Sequence, residues 1–260
     1  MALLETRAVN VRFGGHHAVR DVDLSVDAGR ITGLIGPNGA GKTTTFNAIT
    51  GLQETAGGRV ILDGKDISDL PPHKRARLGI ARTFQRLEVF GSMTARENIL
   101  TAAEIQKAWS RSKDDPAQVA EQIIDRIGIR GVADARVDAM PTGQARLVEL
   151  GRALATRPRV LLLDEPASGQ DDAETEAFAE LLLDLAGEGM AILMVEHDVA
   201  LVMQVCEWIH VLDFGAILAV GTPGEIQRNR LVLDAYLGAA SEESKLEHVE
   251  MAAHPEASEL

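Results

Sequence analysis

The stretch GPNGAGKTT, residues 36–44, follows directly on the apolar run ITGLI at 31–35. Gly36, Pro37, Asn38, Gly39, Ala40, Gly41, Lys42 and Thr43 fit the spacing G-x-x-x-x-G-K-[ST]. Thr44 carries the pattern into a helix that Gly51 closes. Glycines let the backbone wrap close to an anion and turn successive N–H groups inward. A helix beginning near Lys42 adds its positive end. Lys42 supplies a point charge for β- and γ-phosphates, and the Thr43 hydroxyl can ligate Mg²⁺. The loop is therefore expected to cradle nucleotide phosphates between a strand and a helix.

The flanking sequence sets this loop in an α/β fold. Upstream, ETRAVNVRF (5–13) and VRDVDLSV (19–26) alternate apolar and polar residues, with turns at Gly14-Gly15 and DAGR (27–30). Downstream, GRVILDGKDIS (58–68) reads as a hairpin with a DG turn. From Leu87 to about Pro158 the pattern becomes helical, in TARENILTAAEIQ (94–106), DPAQVAEQIIDRIGI (115–129) and GQARLVELGRALATR (143–157). KAWSRSKDDP (107–116) reads as a polar loop. Strands and helices then alternate through VLLLDEP (160–166), AFAELLLDLAGEG (177–189), AILMVEHD (191–198) and WIHVLD (208–213). Short apolar strands separated by helices predict a parallel sheet covered on both faces. The tail SEESKLEHVEMAAHPEASEL (241–260) is acidic and is expected to be disordered.

Further polar residues fall where such a sheet collects ligands. VLLLDEP places Asp164 and Glu165 at a strand end. Asp164 can hold Mg²⁺, and Glu165 can polarise an attacking water as general base. His197, after another apolar strand, could bond the γ-phosphate and position the base, although a lone histidine is usually structural. The amide of Gln85, in ARTFQR, could bond Mg²⁺ and the lytic water. Thr142, Gly143 and Gln144 open an amphipathic helix whose free N–H groups could receive a phosphate. The chain already has a phosphate loop, so this second helix start would serve another molecule's nucleotide.

Bulk properties narrow the partners. The 260 residues carry a formal net charge of −13, which argues against broad nucleic-acid binding, and no nucleic-acid partner is expected. The basic run HKRARLGIARTFQR (73–86) is read as a solvated helix. The single cysteine, Cys206, permits no intrachain disulfide, is read as a packed thiol, and fits a reducing compartment. MALLETRAVNV has no basic start followed by a long apolar run, so no secretory signal is expected. No run reaches the ~20 apolar residues that span a bilayer, so any membrane part must come from another chain. Met190, Met194 and Met203 are read as core filler, and His16, His17 and His210 lack metal-ligand spacing.

Taken together, GPNGAGKTT, Gln85, MPTGQ (140–144), VLLLDEP, ASGQDD (167–172) and His197 resemble, in that order, the nucleotide-binding subunits of ABC transporters. The resemblance spans about residues 3–238. FGGHHAV, GPNGAGKTTTFNAITGL, ARTFQRLEVFGSMTARENIL, PTGQARLVELGRAL, VEHDVALVM and LVLDAYLG are similar more narrowly to LivG-type importer ATPases for branched-chain amino acids. The resemblance implies a P-loop ABC ATPase domain over 1–240. A RecA-like parallel-sheet core at about 1–86 and 153–240 carries an N-terminal antiparallel β region and an inserted helical subdomain at about 87–152. It implies Phe13 stacking on adenine, Gln85 linking nucleotide to the permease groove, Asp164 on Mg²⁺, Glu165 as catalytic base, Asp171 in the D-loop and His197 as the switch. It implies ATP and Mg²⁺ as cofactors, hydrolysis powering an importer, and a cytoplasmic place on the inner face of the cell membrane. The partners implied are permeases, a second ATPase and, indirectly, an extracytoplasmic solute-binding protein. Urea, short amides or another small polar solute are the alternative cargo, and a soluble ABC ATPase outside transport is a more distant reading. Two ATP molecules would lie between two subunits, each between one phosphate loop and the partner's signature helix. The chain departs from the superfamily's LSGGQ at Met140-Pro141-Thr142 and has Gln170 where a leucine is typical. These departures point to a partner with a fuller signature, hence a heterodimer, with a homodimer as the alternative.

Overall fold

The computed structural model describes residues 2–236. The expectation for the acidic tail, 241–260, lies outside the described residues. Two sheets carry the fold. The first is antiparallel, in the order β2-β1-β4-β5, from β1 (Ala2–Phe13), β2 (His16–Asp27), β4 (Gly57–Leu62) and β5 (Lys65–Asp66). The expected DG turn, Asp63-Gly64, joins β4 to β5.

The second sheet contains β3 (Ile31–Ile35), β6 (Ile80–Arg82), β7 (Val160–Asp164), β8 (Ala191–Val195), β9 (Trp208–Asp213) and β10 (Ala216–Gly221). Its order is β10-β9-β3-β8-β7-β6; β9 to β6 run parallel, and β10 is an antiparallel edge. β3, β7 and β8 are buried at every residue, which explains their nearly unbroken apolar sequences. Alternate side chains feed two cores. Leu34, Leu162 and Leu193 face the first sheet and α1 (Lys42–Thr50), meeting Phe46 and Ile49. Leu161, Leu163, Ile192 and Met194 face the other way, onto the remaining helices. Because the parallel strands point the same way, the loops after β3, β6, β7 and β8 open on one sheet edge, where α/β folds collect ligands.

The helical stretch forms α3 (Ala95–Ser110), α4 (Pro116–Arg126), two single 3₁₀ turns and α5 (Thr142–Ala155). A side chain at Gly151 on α5 would meet Ile127 and Ile99 within 3 Å, so these helices pack closely. α6 (Asp172–Gly187), α7 (Val199–Val205) and α8 (Pro223–Gln227) complete the second layer.

Two expectations are corrected. KAWS (107–110) is the last turn of α3, not loop; the Thr94–Glu97 capping box starts a helix that outlasts its amphipathic portion. The basic run 73–86 is not one solvated helix. It divides into α2 (Pro72–Arg77) and β6, and Arg75 is buried. Arg75 donates to the carbonyls of Ala48 (2.7 Å), Ile49 (2.8 Å), Leu70 (2.8 Å) and Ser68 (2.6 Å), which closes the C-terminal end of α1. The bland readings of Cys206 and the methionines hold: Cys206 is buried, and burial pushes its thiol up to about 12. Met194 is buried, and Met190 and Met203 pack against the same core.

Candidate active site

The phosphate loop runs from the end of β3 to the start of α1. A β-carbon at Gly36 would come within 2.0 Å of the Leu212 carbonyl, so only glycine lets the loop leave the sheet here. α1 starts with no side-chain cap, and so does α5. By contrast, α3, α4, α6 and α7 are capped by Thr94, Asp115, Asp171 and Asp198. α2 also lacks a side-chain cap, with Pro71 before it; α1 and α5 are the uncapped starts that the sequence reading pairs with phosphates.

Lys42 is buried, and its Nζ donates to Gly36 O at 2.6 Å and Pro37 O at 2.9 Å. Burial lowers its pKa, while Glu165 and Asp164 oppose that shift. Glu165 follows β7 and is a non-glycine residue with φ of +50°, a conformation that costs of order 1 kcal/mol and turns its side chain to the sheet edge. Its Oε1 lies 2.9 Å from His197 Nε2 and accepts from Gln85 Nε2 at 3.1 Å.

These groups share one cavity of about 350 Å³. It is lined by the loop from Asn38 to Thr44, by Gln85, Glu165 and His197, and by Phe13. Phe13 is half exposed at this cavity. Gly36 and Pro37 do not line it, and their carbonyls accept from Lys42 Nζ.

Asp164 lies behind the cavity and is fully buried. Its Oδ2 accepts from Arg82 Nη2 at 2.7 Å, and its Oδ1 has no partner. Burial raises its pKa, and the Arg82 guanidinium works against that.

The structure does not bring every candidate to this cavity. Thr142, Gly143 and Gln144 lie at the start of α5, and Asp171 caps α6 through the Glu174 N–H at 2.8 Å. Gly143 lines a different pocket with Gln170 and Glu174. Gln170, the departure from the usual leucine, packs against Gly143.

Three residues of the site escaped the sequence reading. His16, dismissed as a metal ligand, lines the cavity beside Phe13; its place after FGG was the available signal. Arg146 and Glu149 of α5 hold the Gln85 segment. Arg146 donates to the carbonyls of Phe84 and Gln85, and Glu149 accepts from the N–H groups of Phe84 and Glu88. Their i,i+3 spacing shows only a shared helix face, and nothing local marks the strand-end backbone they reach.

Comparison with known proteins agrees with this geometry. The ABC transporter family profile matches residues 19–168, and that of the branched-chain amino acid ATP-binding cassette transporters matches 216–242. The high-affinity branched-chain amino acid transport ATP-binding protein BraF of Pseudomonas aeruginosa is 41% identical over 251 residues, spanning 92% of this chain and 98% of the relative. LivG of Escherichia coli, of the same description, is 38% identical with the same coverage. A solved nucleotide-free ATP-binding cassette from an ABC transporter superimposes with a TM-score of 0.83 at 30% identity, over 91% of this chain and 99% of the other. The chain belongs to the ABC transporter ATP-binding family and is an ABC-type ATPase.

Proposed function

We propose that this chain hydrolyses Mg-ATP as one of two ATPase subunits driving an importer for branched-chain amino acids. The observation that carries the catalytic half is the convergence of Gln85 Nε2 and His197 Nε2 on Glu165 Oε1 in the cavity that the phosphate loop lines. The likeness to BraF and LivG along nearly the whole chain supports the cargo.

In this reading Phe13 stacks on the base, and the Asn38–Thr44 loop and Lys42 take the phosphates. Glu165 accepts the proton of the attacking water, and His197 and Gln85 hold Glu165 in place. The donors suit Mg²⁺: Asp164 presents a buried carboxylate oxygen without a partner, and Thr43, with its hydroxyl, lines the cavity. Gln85 is the third oxygen donor offered to it. The ion supplies charge neutralisation on the phosphates.

The uncapped start of α5 stands outside the chain's own nucleotide cavity, which supports a second ATPase subunit whose ATP it completes. The Met140-Pro141-Thr142 and Gln170 departures support a heterodimer, with a homodimer as the alternative. No helix among the described residues is long and apolar enough to cross a membrane. In this reading permease subunits supply the channel, and the chain sits against their cytoplasmic side. A groove of about 400 Å³ lined by Phe84, Phe90, Ile105 and Arg152 is the surface offered to them.

The test is affinity capture of Glu165→Gln with Mg-ATP from native membranes, followed by mass spectrometry. Co-purification of polytopic permeases, a second ATPase and a binding protein for branched-chain amino acids is the expected result. A binding protein for urea or amides would replace the cargo, and purely soluble partners would sink the transport reading.

A further inference from the structure

Arg82, the last residue of β6, is almost fully buried without being part of the cavity. Its guanidinium is held on every side. Nη2 donates to Asp164 Oδ2 at 2.7 Å, Nη1 to Asn47 Oδ1 at 2.5 Å, and Nε to Thr83 O at 3.3 Å. Its Cζ lies 5.3 Å from the centroid of the Phe46 ring and 4.8 Å from that of Phe84. Phe46 and Asn47 belong to α1, the helix that begins at Lys42. Phe84 and Arg82 itself line the groove described above.

A buried carboxylate with both oxygens free would rotate about its χ2 bond. Here one oxygen is fixed by a charge-assisted hydrogen bond, and the other, Oδ1, is left without a partner. Only a planar, multi-donor group can bond Asp164, Asn47 and Thr83 at once while stacking between two rings, which is why arginine rather than lysine fits here. We propose that Arg82 is a positioning residue that locks the Asp164 carboxylate with Oδ1 presented to Mg²⁺, and ties that carboxylate to α1 and to the wall of the groove. The inference rests on the reading that Asp164 takes the ion of Mg-ATP.

The test is equilibrium binding of a fluorescent ATP analogue to the full-length chain, in EDTA and in Mg²⁺, for wild type, Arg82→Met, Asn47→Ala and Asp164→Asn. The quantity read is the gain in affinity on adding metal. Supporting groups behind metal ligands are worth ~10–100-fold in metal affinity, so Arg82→Met is expected to cut that gain at least ~10-fold and Asn47→Ala several-fold, with EDTA affinity unchanged. If Arg82→Met keeps the gain while Asp164→Asn loses it, the role of Arg82 is overturned and that of Asp164 stands. If Asp164→Asn keeps the gain, the Mg²⁺ reading fails and this inference with it. A larger gain in Arg82→Met would mean that Arg82 competes with the ion, and equal losses with and without metal would mean a purely structural role; either overturns the proposal. Should Arg82→Met not fold, Asn47→Ala decides by the same criteria.

Discussion

His197 Nε2 stands 2.9 Å from Glu165 Oε1 across the ends of two neighbouring parallel strands, β8 and β7. Glu165→Gln keeps the shape of the side chain but removes the base, and should lower steady-state phosphate release ~10²–10⁴-fold while ATP still binds. His197→Ala leaves the base but frees its position, with an expected loss of ~10²-fold. Phosphate release and filter-bound nucleotide, measured on the same preparations, separate the two effects; wild-type turnover by Glu165→Gln would remove Glu165 as the base.

Lys42→Ala removes the one ammonium aimed into the phosphate loop. Hydrogen bonds to charged groups contribute ~1.5–3 kcal/mol, so ATP affinity should fall at least ~10-fold. Isothermal titration with ATP and with adenosine checks this. Adenosine, which lacks phosphates, should bind the variant and the wild type alike.

Arg75→Ala tests the correction in the basic segment. Four backbone carbonyls lose a charged donor inside the protein, Ala48 keeping the Gly51 N–H, at an expected cost of about 3–5 kcal/mol. At about 2–4 °C per kcal/mol for a chain of this size, Tm should drop roughly 10 °C in a thermal scan. A solvated arginine would leave Tm where it is.

His210, on β9, is buried, and burial lowers its pKa to about 4 from 6.5. The unfolded chain therefore binds a proton that the folded chain refuses between those values. Stability is full above pH 6.5 and declines as pH falls toward 4, by roughly 3 kcal/mol from this group. Urea unfolding at several pH values should show a shallower decline between pH 6.5 and 4 in His210→Phe than in wild type.

Where placement rests on a local signal, the sequence was enough. The phosphate loop, its helix and Gly51, the Asp164-Glu165 strand end and His197 all lie where spacing put them, because each is defined by residues within one turn or strand end. Arg75 and Arg82 were illegible for the opposite reason. A charged residue in a basic run reads as solvent-facing unless its partner is known, and here the partners are distant in sequence. Arg75 reaches carbonyls 26 and 27 residues away, and Arg82 a carboxylate 82 residues away. Arg146 and Glu149 were hidden likewise, since they bond backbone atoms that carry no mark in the sequence.

Lys42 Nζ is bonded to two carbonyls of its own loop. Nucleotide entry is thus an exchange of partners rather than the ordering of a slack segment. On the proposed reading the lysine trades Gly36 and Pro37 for phosphate oxygens within a loop whose shape is already set. The arrival rate of ATP should then follow diffusion and charge, with loop folding adding no slow step of its own.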